Sequence, residues 1–318
     1  MARTTARACN VSPSEVVTDF TGTGIDRPTN ITEGPDGALW FTNDGNSSIG
    51  RITTSGVVTN FSGTGISAPS GIAVGPDGAL WFTNFGDSSV GKITTAGVVS
   101  DYTGGGIARP ISIAAGPDGA LWFTNIATNG VHFVARITTA GVVTAYMASD
   151  LDAAYQIIAG PDGALWFTEG AGDSIGRITT SGVVSTYTSN AINLGNEITT
   201  GPDGALWFTN QIGNSIGRVT VVPSVSASPT SGEPGTTVAV SGDAYSPGEL
   251  VNVRYRTGLA SPDPSTVVIC SATADQNGTF SCLGHIPPSS IAGPQGSHAI
   301  TAIGKTSGAT ARMTFTLS

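Results

Sequence analysis

The chain has little charge and few basic residues. Only 11% of its 318 residues are charged, and 13 lysines and arginines stand against 22 acidic residues, so the formal net charge is −9. Nucleic acid requires a basic binding surface, and this composition argues against such a partner. No apolar run approaches the length of a membrane span, and the first ten residues, MARTTARACN, lack the hydrophobic centre of a secretory signal peptide. We therefore expect no membrane span.

Long amphipathic stretches are missing as well, which excludes the helical repeat proteins. The chain has instead a nine-residue string, GPDGALWFT, that occurs five times without change. Successive copies start 41, 41, 44 and 41 residues apart. They begin at Gly34, Gly75, Gly116, Gly160 and Gly201. A period of about 40 to 45 residues is typical of a β-propeller blade made of four short strands.

Each repeat divides into four strands, which we label a to d from the inside of the propeller outward. Strand a precedes Gly-Pro, as in 71–74, and strand b is the Leu-Trp-Phe-Thr run. Strand c is the Ile-Gly-Arg-Ile-Thr run, and strand d is a Val-Val run that ends in an aromatic residue, as in 57–61. Pro-Asp-Gly favours a tight turn from a to b, because proline fixes φ, aspartate bonds to its own backbone and glycine accepts a positive φ.

The two ends of the repeat region complement each other. The fifth copy of strands a, b and c runs into Pro223 without a strand d, and a spare d-like strand, 16–20, reads like 57–61. We therefore predict an all-β fold in which residues 12–222 form a five-bladed β-propeller, closed where 16–20 pairs with 216–220. The alternative is that two chains exchange these end strands and build a larger or open assembly.

The sequence changes character after the repeats. Residues 223–318 contain no GPDG unit and read as about seven short alternating strands separated by Pro and Gly turns. This pattern predicts an Ig-like β-sandwich. It resembles the Ig-like modules that are appended to bacterial surface proteins and phage virion proteins. Residues 1–11 are left as an N-terminal tail.

Cysteine usage indicates an oxidising location. Cys270 and Cys282 flank the turn 275–278, and two strands folded about that turn would place them opposite each other at disulfide distance. We predict a disulfide, and two buried thiols on neighbouring strands are the alternative. Cys9 has no evident partner, and an inert thiol is favoured over an intermolecular bond. A disulfide would fit a protein that is extracellular, on a cell surface or on a virion.

Three other residues recur in every repeat: the tryptophan of strand b, the aspartate of the Pro-Asp-Gly turn and a cation in strand c. We interpret the tryptophan as packing between adjacent sheets. The aspartate is interpreted as a turn former, since one carboxylate cannot supply the roughly six to eight oxygens that calcium binds. The cation is expected to be solvated or to pair with a neighbouring blade.

Connectivity divides the loops between two faces of the propeller. The a-to-b and c-to-d turns lie on one face and hardly vary, whereas the b-to-c loops and the d-to-a crossovers lie on the other and differ. Folding constraints act equally on every blade, so we expect recognition on the variable face, at the channel mouth. Strand b ends on this face with a polar residue. These candidate binding residues are Asn43, Asn84, Asn125, Glu169 and Asn210. A lone carboxylate, Glu169, could hold a metal or accept a proton.

One repeat carries a specific resemblance. GPDGALWFTE, a short loop, IGRIT and a Gly-Val-Val strand, in 160–184, resemble the streptogramin B lyase (virginiamycin B lyase) family. The resemblance covers residues 12–222. Members of that family are propellers that open cyclic depsipeptide antibiotics by elimination, with magnesium and a general-base histidine. The family's fold has seven blades, so five repeats are a first departure.

The resemblance also implies site residues, and most of them are replaced. The family's metal-binding glutamate after Trp-Phe-Thr corresponds to Glu169, and its second metal-binding glutamate corresponds to Ala153. Its catalytic histidine corresponds to Tyr155, and a substrate-binding histidine of the preceding blade corresponds to Ile111. His132, in an enlarged b-to-c loop, is the one histidine of the repeat region and a second candidate base beside Tyr155. Phenols ordinarily titrate near about pH 10 and are poor bases at neutral pH, so the lyase chemistry is expected to be lost.

We therefore expect a non-catalytic binding or scaffold protein without a cofactor, outside a cell or on a virion, that docks an unidentified ligand or protein on its variable face. Two alternatives stay open. One is a magnesium-dependent streptogramin B-type lyase, in which Glu169 binds the metal and Tyr155 or His132 is the base. The other is a glycan-binding propeller with pockets between blades. Homo-oligomers are compatible with each of these.

Overall fold

The computed structural model describes residues 18–127, 130–147, 151, 153–170, 173–193, 195–260 and 265–318. This part of the chain consists of β-strands, turns and loops and contains no helix. It accordingly holds no helix that could span a membrane. The predicted all-β class is confirmed. The predicted tail 1–11, which includes Cys9, lies outside the described residues.

Residues 28–219 form five antiparallel sheets, one for each copy of the repeated string, and we number them sheet 1 to sheet 5. Sheet 1 contains β1 (Pro28–Glu33), β2 (Leu39–Asn43), β3 (Ser48–Ile52) and β4 (Val58–Ser62). Sheet 2 contains β5 (Pro69–Val74), β6 (Leu80–Asn84), β7 (Ser89–Ile93) and β8 (Val99–Tyr102). Sheet 3 contains β9 (Pro110–Ala115), β10 (Leu121–Ile126), β11 (His132–Ile137) and β12 (Val143–Tyr146). Sheet 4 contains β13 (Ala154–Ala159), β14 (Leu165–Glu169), β15 (Ser174–Ile178) and β16 (Val184–Thr188). Sheet 5 has three strands, β17 (Gly195–Thr200), β18 (Leu206–Asn210) and β19 (Ser215–Val219).

The turn from strand a to strand b forms as the sequence predicts. In sheet 2 the amide of Gly75 donates to the carbonyl of Ala79 at 2.8 Å, and the amide of Gly78 donates to the carbonyl of Gly75 at 3.0 Å. Gly78 has a φ of 74°, a left-handed conformation that favours glycine. The turn aspartate also does more than shape the backbone. Asp77 accepts hydrogen bonds from the indole of Trp81 at 3.0 Å and pairs with the ammonium of Lys92 at 2.6 Å.

This aspartate, tryptophan and cation set recurs in all five sheets. The strand c cation therefore pairs with the turn of its own sheet, and the expected pairing with a neighbouring blade is wrong. The reason is register: strands b and c place each tryptophan directly opposite its cation, as Trp81 lies opposite Lys92. The aspartate is four residues before the tryptophan and reaches both.

Neighbouring sheets join through one repeated junction. At the junction of sheets 1 and 2, Trp40 and Ile49 pack against Ile72 and Leu80 in a buried cluster. The buried threonine of strand b crosses the same junction and donates its hydroxyl to a strand a carbonyl of the next sheet. These bonds join Thr42 to Ser70, Thr83 to Ile111, Thr124 to Tyr155 and Thr168 to Asn196, at 2.7, 2.8, 2.7 and 2.7 Å.

The described residues do not close the five sheets into a ring. Ile31 at the start of the series is 59% exposed and Ile216 at its end is 63% exposed, whereas Ile72, the counterpart of Ile31, is 5% exposed. Thr18 to Phe20 form no strand, and β19 pairs only with β18 in the described part of the chain. The predicted closure by pairing 16–20 with 216–220 is therefore not confirmed: 18–20 do not make this pairing, and residues 16 and 17 lie outside the described residues. Phe20 packs on Gly56 of sheet 1.

Residues 224–317 form a second β region of two sheets. One sheet contains β20 (Ser224–Ser228), β22 (Thr237–Asp243) and β25 (Phe280–His285). The other contains β21 (Ser231–Gly232), β23 (Leu250–Arg256), β24 (Thr266–Thr273), β26 (Gly296–Gly304) and β27 (Thr310–Leu317). A single apolar cluster, including Val240, Tyr255 and Phe315, fills the space between them. This is the sandwich arrangement that the alternating pattern predicts.

Cys270 and Cys282 form a disulfide with their Cα atoms 6.1 Å apart. The expected placement on two strands folded directly against each other is wrong, because β24 and β25 belong to different sheets. The turn 275–278 carries the chain from one sheet to the other, so the bond joins the edges of the two sheets.

The second region contacts sheet 4 on its invariant turns. Pro247 lies against Gly163 of the a-to-b turn, and Thr180 of the c-to-d turn donates a hydrogen bond to Asn277. A guanidinium nitrogen of Arg177 lies 3.8 Å from a carboxylate oxygen of Asp243. The variable face of sheet 4 is left uncovered by these contacts.

Candidate functional site

The inner strands of the five sheets surround a polar cavity of about 130 Å³. Each strand a contributes two consecutive residues to its wall. The first residues of the five pairs are Thr29, Ser70, Ile111, Tyr155 and Asn196. The predicted candidate base Tyr155 therefore lines the central channel, while the other candidate, His132, is not among the residues that line this cavity.

The second residue of each pair was not singled out by the sequence. In sheets 1, 4 and 5 it is Asn30, Gln156 and Glu197. Asn30 Oδ1 accepts the amide of Ile72 at 3.3 Å, and Gln156 Oε1 accepts the amide of Ile198 at 2.7 Å. These side chains therefore connect neighbouring inner strands as well as making the channel polar. The signal in the sequence was a polar residue at one fixed position in four of the five strands a, with Gly71 as the exception.

Tyr155 is held in place by its backbone and its ring. Its carbonyl accepts the Thr124 hydroxyl at 2.7 Å, across the junction of sheets 3 and 4. Its ring occupies the space beside the Cα of Gly170, where any side chain would collide with it. Since Gly170 directly follows Glu169, the structure brings the Tyr155 ring next to the end of strand b in sheet 4.

Glu169 is completely buried at that strand end. It lies opposite Ala154 in the β13–β14 register, and Ser174 donates its hydroxyl to Glu169 Oε2. Ala153, where the family resemblance implies a second ligand, is 9% exposed and has a φ of 47°, and its carbonyl accepts the amide of Gly170 at 3.0 Å. A methyl group supplies no ligand oxygen, and no cluster of three potential metal-ligating side chains occurs among the described residues. These residues therefore do not fit the magnesium site that the resemblance implies.

The four asparagines at the equivalent position fasten the d-to-a crossover to strand b. In sheet 2, Asn84 Oδ1 accepts the amide of Ser67 at 3.0 Å, and its Nδ2 donates to the carbonyl of Gly65 and to Ser89 Oγ, both at 2.9 Å. Asn43 and Asn210 make the same three bonds in sheets 1 and 5. All four asparagines are buried, so they support the crossovers of the variable face from inside the protein and do not present their amides to solvent.

Sheet 3 departs from this pattern. Asn125 accepts the amide of Ala108 at 2.9 Å, but its Nδ2 has no hydrogen-bond partner among the described residues. The enlarged loop shifts the register, so that Phe133 lies opposite Asn125 where the other sheets have serine. His132 lies one residue earlier, opposite Ile126, and its Nδ1 is also buried without a partner in the described part.

The two kinds of asparagine allow a matched stability test. We expect Asn84→Ala to lower the free energy of unfolding by about 2–4 kcal/mol, because three hydrogen bonds are lost and buried groups are left unpaired. Asn125→Ala should cost only about 1–2 kcal/mol, since one bond is lost. Urea unfolding of both variants measures the difference. Equal costs would mean that the crossover is not fastened by these bonds.

Comparison with known proteins identifies the repeat region. The model of the virginiamycin B lyase family matches residues 3–132 and 105–245, and that of the macroglobulin-like domain matches residues 218–317. No curated protein matches the chain in sequence. Solved structures do match it, and those described next resemble the sheets at about one third sequence identity.

A catalytically inactive histidine-to-alanine variant of virginiamycin B lyase from Staphylococcus aureus, with quinupristin, is 34% identical with a TM-score of 0.60, over 66% of this chain and 72% of that one. The selenomethionine-substituted virginiamycin B lyase from Staphylococcus aureus is 36% identical with a TM-score of 0.56. The match covers 60% of this chain and 66% of that lyase. A streptogramin B lyase is 35% identical with a TM-score of 0.55. The match covers 60% of this chain and 64% of that lyase.

The chain thus spans about two thirds of the length of these solved lyases. The two matched segments of the family model together cover more than half of the present sequence. The chain therefore belongs to the virginiamycin B lyase family.

Proposed function

We propose that this protein binds a ligand on the variable face of its propeller without cleaving it. The observation that carries the proposal is Tyr155, which stands where the family resemblance implies a histidine and has its ring against Gly170. The first of the solved relatives is described as inactive once a histidine is replaced by alanine. A chain with a phenol at the corresponding place is expected to be inactive in the same way.

The chemistry of elimination supports this reading. A base must remove a proton while the leaving ester oxygen is stabilised, and the ideal base titrates near the working pH. Phenols ordinarily titrate near about pH 10, so few are ionised at neutral pH. Loss of a general base typically costs about 10²- to 10⁴-fold in rate. The missing second carboxylate at Ala153 removes the means of holding a cation that would polarise the ester.

The surroundings of the channel support binding. Its wall is polar, with Asn30, Gln156, Asn196 and Glu197 around one small cavity. The second β region docks on the invariant turns of sheet 4, through Pro247 and Asn277, so the variable face stays accessible. The disulfide between Cys270 and Cys282 fits an oxidising location. We accordingly propose a location outside the cell, on a cell surface or on a virion.

Quinupristin is the probe that tests this proposal, because one relative was solved with it. Elimination opens the ring without changing its mass, whereas hydrolysis adds one water, so tandem mass spectrometry after chromatography separates intact, eliminated and hydrolysed products. With magnesium present, we expect any opening to be at least about 100-fold slower than with the Staphylococcus aureus lyase. Opening at a comparable rate would overturn the proposal.

A second function, the lyase itself, rests on one observation: the Tyr155 ring lies against Gly170, the residue that follows the buried Glu169. If they catalyse elimination, both Tyr155→Phe and Glu169→Ala will abolish ring opening, and the Glu233→Ala control, at an exposed position of the second β region, will keep it. Calorimetric titration of the same variants with quinupristin shows whether binding persists when opening is absent.

A further inference from the structure

The two ends of the sheet series present apolar faces that are buried at every internal junction. Ile31 and Leu39 of sheet 1 are exposed, whereas their counterparts Ile72 and Leu80 in sheet 2 are buried. At the other end Ile216 is exposed, whereas its counterpart Val90 is completely buried. Both ends are therefore halves of a junction that the chain forms four times internally.

The hydrogen-bonding groups at the two ends are also complementary. The strand b threonines of sheets 1 to 4 each donate to a carbonyl of the next inner strand, as Thr42 donates to Ser70. Thr209 of sheet 5 has the same position, and its Oγ1 accepts the amide of Glu197 at 3.0 Å. Among the described residues, however, no sixth inner strand follows sheet 5 to accept its hydroxyl proton. The corresponding acceptor, at the place of the Ser70 carbonyl, is the carbonyl of Thr29 in sheet 1.

Two aromatic residues at the ends of the series, Trp207 and Phe20, give a third and independent indication that the two ends are complementary. In sheets 1 to 4 the strand b tryptophan stacks on the ring that ends strand d, with ring centroids 5.2–5.4 Å apart. In sheets 1 to 3 that same ring packs on the c-to-d turn glycine of the next sheet, as Phe61 packs on Gly97. Trp207 has no such stacked ring among the described residues. Phe20 packs on Gly56 of sheet 1 in the same way, yet is 44% exposed.

We propose that sheet 5 of one copy packs on sheet 1 of a second copy and so forms a fifth junction of the same kind. In it, Ile216 contacts Ile31 of the second copy, Thr209 donates its hydroxyl to the Thr29 carbonyl, and Trp207 stacks on Phe20. The segment that contains Phe20 then supplies the outer strand that sheet 5 lacks. This contact is head-to-tail, and it gives a ring or an open series depending on whether the rotation closes.

A second copy is the occupant for a structural reason. Within one copy both faces are exposed to solvent, while four internal junctions hold the five sheets together. Each of those is fixed by a threonine-to-carbonyl bond of 2.7 or 2.8 Å and by a buried apolar contact. Packing of two copies leaves these junctions unchanged. It also covers two apolar faces that a single copy leaves exposed to water.

Sedimentation velocity of the full chain tests the proposal, in a Cys9→Ser background so that no intermolecular disulfide contributes. We expect the mass to rise with concentration from 31.9 kDa, the mass of one chain, toward a multiple of it. Ile31→Lys and Ile216→Glu should each keep the protein at the mass of one chain. Val98→Glu, at an exposed valine of the sheet 2 c-to-d turn, is the matched control and should assemble like the parent.

Mixing distinguishes this contact from other associations. A mixture of Ile31→Lys and Ile216→Glu should regain a dimer, because each variant keeps the half that the other has lost. Circular dichroism and thermal unfolding verify that both variants are folded. A parent that stays at the mass of one chain at all concentrations overturns the proposal. A mixture that fails to dimerise also overturns it. A loss of thermal stability in the monomer on both substitutions would overturn it too, because it would indicate that the two faces already pack on each other within one copy.

Discussion

Replacing Trp81 by alanine is expected to lower the free energy of unfolding by about 3–5 kcal/mol, as is typical for a buried tryptophan. Trp81 is completely buried between sheets 2 and 3, and its ring stacks on Tyr102 with centroids 5.2 Å apart. Its indole donates to Asp77 at 3.0 Å, and the Lys92 ammonium lies 5.3 Å from its ring. Alanine would remove all of these contacts and leave a cavity.

Trp207 is the matched comparison, since it lies in an identical nine-residue string. It keeps the bond to Asp203 at 3.0 Å and the Arg218 guanidinium 5.6 Å from its ring, but it is only half-buried and has no stacked ring in the described residues. We expect Trp207→Ala to cost about 1–2 kcal/mol. Guanidinium unfolding should be measured in the Ile216→Glu background, so that assembly does not bury Trp207. Equal costs at the two positions would mean that sheet 5 is covered within a single chain.

Replacing Glu249 by alanine should destabilise the second β region by about 3–5 kcal/mol, because several buried donors would lose their acceptor together. Glu249 is 5% exposed and accepts the amides of Ser246, Thr306 and Ser307 at 2.7, 3.2 and 3.1 Å. The Ser307 hydroxyl donates to it as well, at 2.8 Å. Denaturant unfolding of the full chain measures the loss. The exposed Glu233 provides the control, and Glu233→Ala should change the stability by less than about 0.5 kcal/mol.

Glu249 also gives this region a dependence on pH. Burial raises the pKa of Glu249, but the hydrogen bonds from Ser307, Ser246 and Thr306 outweigh that effect and hold it below the usual value of 4.5. A carboxyl whose pKa is lower in the folded state stabilises fully above its unfolded pKa, and this stabilisation is lost as the pH falls through the folded value. We expect Glu249→Gln to flatten the acid limb of the stability curve below about pH 4.5. An unchanged acid limb would contradict this origin.

The repeat architecture could be predicted from the sequence, because each of its elements has a local sequence pattern that occurs in repeat after repeat. The period, the Pro-Asp-Gly turn and the alternating strands specify each sheet independently of its neighbours. The closure could not be predicted in this way, because it depends on how neighbouring sheets pack. That packing rests on contacts between residues far apart in the chain, such as the bonds of Thr42, Thr83, Thr124 and Thr168 to the next sheet. Counting strands established that the ends match without establishing that they meet.

At the candidate site, residue types were predictable and their environments were not. The sequence placed Glu169 and four asparagines at the ends of the five b strands. The burial of the asparagines depends on the crossover that each one binds, such as 65–67 for Asn84. The Asn125 amide, which has no partner among the described residues, lies where a longer loop shifts the register of strand c. The channel residues Gln156 and Glu197 gained their role only when five inner strands converged. Parts of the variable loops lie outside the described residues.

The proposed loss of lyase chemistry can be tested in one single-turnover experiment, with the chain in excess over quinupristin and magnesium present. Excess protein removes product release and low affinity as explanations for a slow reaction. We expect quinupristin to be recovered with its ring intact under conditions in which the Staphylococcus aureus lyase opens it. Time-dependent ring opening that Tyr155→Phe or Glu169→Ala abolishes would show that the catalytic site has been retained.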